Sequence, residues 1–171
     1  MTSAEKKLGE RDRKFFALVA RATFANPFSA ERAALDAEIG DTDASDPHVL
    51  ARASARLDAR LAALAESGVA LSELFASDRE LLFAALLFGA FHRYIGEIDA
   101  LIESPARVRF ARPLLAELHA SGLGEAVAKR ALELFYQMRR AHLAIGRRLV
   151  GGGASMRRLR EQLWNLSLIH I

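Results

Sequence analysis

The stretch LLFAALLFGAF, residues 81–91, constrains the fold more than any other part of the chain. It is too short to span a bilayer as a helix, yet too apolar to lie on a wetted surface. A helix carrying it is buried on most of its sides, and Gly89 lets a neighbouring helix approach closely. The flanks supply helix signals. Ser77 and Glu80 have the spacing of a capping box, and Ser104-Pro105 is a stop, so one helix is predicted from about Ser77 to about Glu103. A central helix of this kind needs other helices around it.

The remaining punctuation provides them. A first helix is predicted from about Ala4 to Phe24, with Leu8, Phe15, Val19 and Ala22 on one face. Asn26-Pro27 breaks it, because the residue before proline is pushed out of the helical region. Ser29 caps a second helix through Ile39, closed by Gly40. DTDASDP is a loop ending in Asp46 as a cap and Pro47 at the first helical position. The third helix then runs to about Glu66, with Gly68 as its stop. Pro113 opens a shorter helix ending at Gly122. The last long helix, Glu125 to about Leu149, shows Val127, Ala131, Leu134, Met138, Ala141 and Ile145 at intervals of three or four. No segment alternates with period two, and no internal repeat is apparent. The expected fold is therefore all-α: a bundle of about six helices, then a Gly-rich linker and a short amphipathic helix.

Composition removes several function classes. The chain has no cysteine, which excludes a disulfide framework, a thiolate metal site and a cysteine nucleophile. The opening MTSAEKKLGERDRK is charged and lacks the apolar core of a signal peptide. A cytoplasmic location with no membrane association is the expectation. Net charge is only +3, but seven arginines fall between Arg139 and Arg160 with no acid among them. Such a cluster suits phosphates or an acidic surface, and it equally suits a solvated helix face.

Catalytic templates fail one after another. There is no E-x-x-H pair for a helical di-iron site, no H-E-x-x-H and no G-x-S-x-G. His92 has Tyr94, Glu97 and Asp99 close in sequence, but Glu97 is off its helix face. His92 and His142 therefore read as packed or locally hydrogen-bonded side chains, and Phe15, Phe16, Phe24 and Phe28 read as core. Gly146 and Gly151 have the first spacing of a phosphate loop, but Gly152 stands where that motif needs lysine. Neither a metal site nor a catalytic residue is expected in this chain.

After the glycines, Ser155 caps a helix whose Met156, Leu159 and Leu163 form a stripe, with Arg157, Arg158, Arg160 and Glu161 facing away. Alone in water a helix this short is marginal. Either it folds back on the bundle or it begins a further domain.

LVGGGASMRRLREQLWN resembles the segment that opens the AAA+ ATPase domain of sigma-54-dependent transcriptional activators. The family pattern is a hydrophobic pair, glycine, a short spacer, serine, then an M-x-x-L-R helix. Its positions here are Leu149, Val150, Gly151, Ser155, Met156, Leu159 and Arg160, with a spacer one residue longer than the common form. FFALVARATFANPFSAERAALD is similar to the helical N-terminal part of one subgroup. The resemblance implies a regulatory domain over 1–148, and a linker and ATPase start over 149–165. Gly151, Ser155 and Met156 would lie near the adenine pocket. The phosphate loop, the metal-binding acidic motif, the sigma-contacting loop and the DNA-reading domain are absent from this sequence. No cofactor is expected for the fragment; ATP and Mg belong to the full-length parent. The expected partners are the AAA+ domain of the same chain and an unidentified ligand, with sigma-54 polymerase and DNA reached only through the missing domains. The closing LSLIHI resembles the in-frame translation of a transposon-end sequencing adapter, so 166–171 are expected to be an artefact on a truncated chain. The alternative is a self-contained helical module that binds an apolar small ligand or a partner helix.

Overall fold

A computed structural model describes residues 6–69, 73–74, 76–104 and 109–168. Over these residues the chain is all-α. Its elements are α1 (Glu10–Phe24), α2 (Ala30–Gly40), α3 (Val49–Glu66), α4 (Ala76–Arg93), α5 (Ile95–Glu103), α6 (Ala111–Ala120), α7 (Glu125–Arg148) and α8 (Ala154–Leu168). An isolated parallel bridge joins Lys6 to Leu74. No single described helix is long and apolar enough to cross a membrane. The expected N-terminal residues Ala4 and Glu5, the stop at Pro105, and Ile169–Ile171 lie outside the described residues.

The helices divide between two compact units, the first comprising Met1–Phe24 and Ala33–His92, the second Ala25–Arg32 and Arg93–Ile171. In the first, α1 buries Phe15, Phe16, Val19 and Ala22, as its spacing predicts. Leu35 and Ile39 of α2, Ala53 and Leu57 of α3, and Leu82, Ala85 and Phe88 of α4 complete this core. Gly40 is needed for close approach: a Cβ there would stand 3.1 Å from the Val49 carbonyl and 3.3 Å from the Ala53 nitrogen. The left-handed turn that follows is taken by Asp41 (φ 54°). Arg60 donates to Asp12 at 2.5 Å and lays its guanidinium 4.8 Å from the Phe15 ring, so one side chain ties α3 to α1 twice.

Polar groups set the start of this unit. Helix α1 begins at Glu10, later than the expected Ala4. The Leu8 amide donates to Asp78 Oδ2 (2.9 Å) and the Lys6 amide to the Glu73 carbonyl (2.7 Å), so both are spent outside any helix. Asp78 is buried in the first turn of α4 and also accepts from Arg13 Nη2 at 2.8 Å. Burial alone raises its pKa, but Arg13, the Leu8 amide and nearby Lys7 outweigh that and hold the carboxyl below its ordinary value. Ser77 and Glu80, expected to form the capping box, are exposed within the first two turns of α4.

Three further boundaries depart from the sequence expectation. The helix predicted over 77–103 is broken at Tyr94, which leaves helical geometry (φ −99°, ψ 9°) and precedes α5. Tyr94 packs its ring on Phe110 at 6.2 Å and hydrogen-bonds Glu117, so contacts distant in sequence turn the chain there. Burial, then Glu117, raises its phenol pKa. Helix α3 starts at Val49 instead of Pro47: a turn precedes it, with the Val49 amide donating to the Asp46 carbonyl (3.1 Å) while the Asp46 carboxylate accepts from the His48 amide (2.8 Å) and the Thr42 hydroxyl (2.7 Å). Helix α6 starts at Ala111, leaving Pro113 in the first turn, where its missing N–H costs nothing. In the second unit α7 packs against α5, α6 and α8. Its buried face is Ala128, Ala131, Phe135 and Ile145; Val127, expected inside, is 43% exposed.

Candidate functional site at the glycine hinge

Helix α7 ends at Arg148, and Leu149–Gly153 leave helical structure before α8 begins at Ala154. Gly151 takes φ +133°, which side-chain-bearing residues rarely adopt. The carbonyls freed at this break are capped by arginines of α8. Arg160 Nε donates to the Leu149 carbonyl at 3.0 Å and its Nη2 to the Gly151 carbonyl, while Arg157 donates to the Gly152 carbonyl at 2.5 Å. A cation at the end of a helix is also favoured by the helix dipole.

Much of the arginine cluster is therefore committed to the fold. Arg139 forms a two-pronged pair with Asp99 (2.5 and 2.7 Å), linking α7 to α5, and Arg147 pairs with Glu103. With Arg157 and Arg160 this accounts for four of the seven. Arg140, Arg148 and Arg158 are exposed.

The seat of α8 is built by other residues than the expected stripe. Trp164 is 3% exposed, whereas Leu159 (39%) and Leu163 (36%), expected as the packing stripe, face outward. Met156 is half-buried, and Leu166 is 56% exposed. Trp164 meets the Phe28 ring edge-on at 6.2 Å and the His142 ring at 6.4 Å; Phe28 and His142 are stacked at 4.9 Å. An aromatic with two edge-on partners gains packing that a leucine at 159 or 163 does not. Trp164 stands four residues after Arg160, one helical turn on, and that arginine-to-aromatic spacing was the available sequence signal.

Asn26 closes the seat. Its Nδ2 donates to the Glu161 carbonyl and to Asn165 Oδ1, each at 2.9 Å, while its Oδ1 accepts from the Phe28 amide at 3.0 Å. The last of these is an Asx turn, fixing the backbone that presents Phe28. Ser29 then caps α2, accepting from the Arg32 amide at 3.1 Å as expected. Phe24, expected in the core, is 76% exposed. It is the last residue of α1, two positions before the turn at Asn26.

His142 is partly buried between these rings. Arg139 donates to its Nδ1 at 3.1 Å, so that nitrogen is the acceptor and the ring is neutral. Burial, then the Arg139 charge, lowers its pKa to about 4. The sign follows: below its ordinary value of 6.5 the unfolded chain binds a proton that the folded ring refuses. Stability from this group is complete above about 6.5 and is lost as pH falls towards about 4. After allowance for partial exposure, the loss expected is on the order of 1–2 kcal/mol. Urea midpoints measured from pH 7.5 to 4 check it, as the part of the decline that His142→Gln removes. An identical decline in that variant would refute the assignment.

Of the adenine-proximal trio from the sequence, Gly151 and Met156 come together: a Cβ on Gly151 would lie 3.7 Å from Met156 Cγ. Ser155, expected to cap α8, is exposed inside its first turn, and the first helical bond runs from the Arg157 amide to the Gly153 carbonyl (3.1 Å). Gly146 lies inside α7, so the phosphate-loop spacing is carried by helix and not by a loop. His92 is tilted against the Phe88 ring at 4.1 Å, its Nδ1 2.8 Å from the Phe88 carbonyl. Among the described residues no group of three His, Asp or Glu side chains could hold a metal ion. Neither a protein-family model, a curated protein nor a solved structure matches this chain.

Proposed function

We propose that residues 1–148 are the regulatory segment of a sigma-54-type transcriptional activator and that α8 is the first helix of the ATPase domain it controls. The observation that carries this reading is the coincidence of motif and hinge. The LVGGG part of the family-like segment is the break between α7 and α8, and its ASMRRLREQLWN part lies in α8. In this reading the protein regulates by holding or releasing α8, and a signal acts only if it binds the two packing states with different affinity. ATP and Mg are handled by the ATPase domain. Sigma-54 polymerase and DNA are contacted through that domain and a DNA-reading domain beyond it. Gly151, Ser155 and Met156 border the adenine. The test is the source reading frame past Asn165: a G-x-x-x-x-G-K-[ST] phosphate loop is expected downstream.

A second reading, a helical module that takes a partner helix, draws on Leu159, Leu163 and Leu166. These lie at helical spacing on α8 and are exposed together.

A further inference from the structure

Residues Ala25–Arg32 belong to the same compact unit as α5–α8, whereas α1 and α2 from Ala33 onward belong to the other. The chain thus leaves α1, passes through Asn26 and Phe28 against α8, and enters α2 at once. Every polar atom of the Asn26 amide is used there: one end holds the Glu161 carbonyl and the Asn165 side chain, the other sets the turn that presents Phe28 to Trp164. On the far side the chain connects α8 to α7 through a glycine-rich link that includes the left-handed Gly151, and Trp164 of α8 meets His142 of α7.

We infer that the α1–α2 connection is a strap whose position sets whether α8 is seated. A movement of α1 or α2 pulls on Asn26 and Phe28 through no more than a few covalent bonds. The rest of the α8 seat, His142 and the capped carbonyls, lies on α7 and on the link itself. Loosening α1 should therefore unseat α8 before it disturbs α6. This mechanism supplies the regulation for the function proposed above and rests on that reading for its purpose. Its test needs no ATP, so its failure is separable from a failure to find the phosphate loop.

The experiment is amide hydrogen exchange on the 171-residue chain, with the emission of its single tryptophan as a second readout. Asn26→Ala is expected to speed exchange of the Arg157–Leu166 amides by about tenfold, the loss of two bonds to α8. Phe28→Ala should speed it further, and Trp164 emission should shift to the red in step, with α6 amides unchanged. Phe16→Leu, which loosens α1 while keeping its core filled, should speed α8 by at least roughly threefold and leave α6 within twofold. The strap is refuted if α8 exchange in Asn26→Ala or in Phe16→Leu matches wild type. It is equally refuted if α6 accelerates by the same factor as α8.

Discussion

Replacing Phe16 by alanine is expected to lower the unfolding free energy by about 3–5 kcal/mol, the largest single effect in the chain. Phe16 is wholly buried, and its ring meets that of Phe15 edge-on at 5.7 Å. The substitution removes the transfer free energy of the ring and leaves a cavity. Fully buried Val19 and Ala22 of the same helix are already packed and cannot close it without moving the backbone. Urea unfolding followed by far-UV circular dichroism measures the effect. Phe24→Ala is the internal comparison. Three-quarters exposed, it should change stability by less than about 0.5 kcal/mol, although the two phenylalanines share one helix. A Phe16→Ala loss below that of Phe24→Ala would mean that α1 presents a different face to its core.

The second large effect belongs to Asp78. Asp78→Ala is expected to cost about 2–4 kcal/mol, because it strands a buried amide donor as well as an ion-pair partner. Which of those losses dominates follows from exposure. The Arg13 side chain is 43% exposed and can return to water, whereas Leu8 is 6% exposed and its amide cannot. Arg13→Ala should therefore cost clearly less than Asp78→Ala, and Asp78→Asn, which keeps an acceptor for the Leu8 amide, should fall between them. Among the described residues Asp78 Oδ1 and Arg13 Nε have no hydrogen-bond partner, so the pair is held by one contact and not by a fork. Equal losses in Arg13→Ala and Asp78→Ala, measured by urea titration at pH 7, would show that the charge pair and not the amide bond holds this corner. The folded pKa of Asp78 is depressed. Its contribution is thus present above the ordinary carboxylate range and disappears as pH falls through its lowered value.

The all-helical class was legible because the apolar run at 81–91 and the Pro/Gly stops leave no period-two segment to form a sheet. Local chemistry was legible where a side chain acts on its own neighbourhood: Ser29 caps α2 and Gly68 ends α3 with φ +69°. What was lost depends on distant partners. Tyr94 breaks a helix without proline or glycine at the break, because Phe110 and Glu117 claim its ring and hydroxyl. On α7, Ala128 and Phe135 recur at the same intervals as Val127 and Leu134, so periodicity could not choose between two overlapping faces. The site shows the same limit. Asn26 reads locally as a helix breaker, and its bond to Asn165 spans 139 positions. Trp164 is masked in the sequence because Met156, Leu159 and Leu163 already make a plausible stripe. The hinge itself was visible from its glycines.

The seated α8 and its hinge acquire their proposed meaning only if an ATPase domain follows them in the natural gene. The direct measurement is to amplify the source locus with primers lying inside codons 1–165 and beyond, without transposon tagging, and read the frame through Asn165. The account predicts a frame that departs from LSLIHI after Asn165 and reaches G-x-x-x-x-G-K-[ST] downstream, with an acidic metal-binding motif after it. A stop codon directly after the LSLIHI codons in the locus would contradict it.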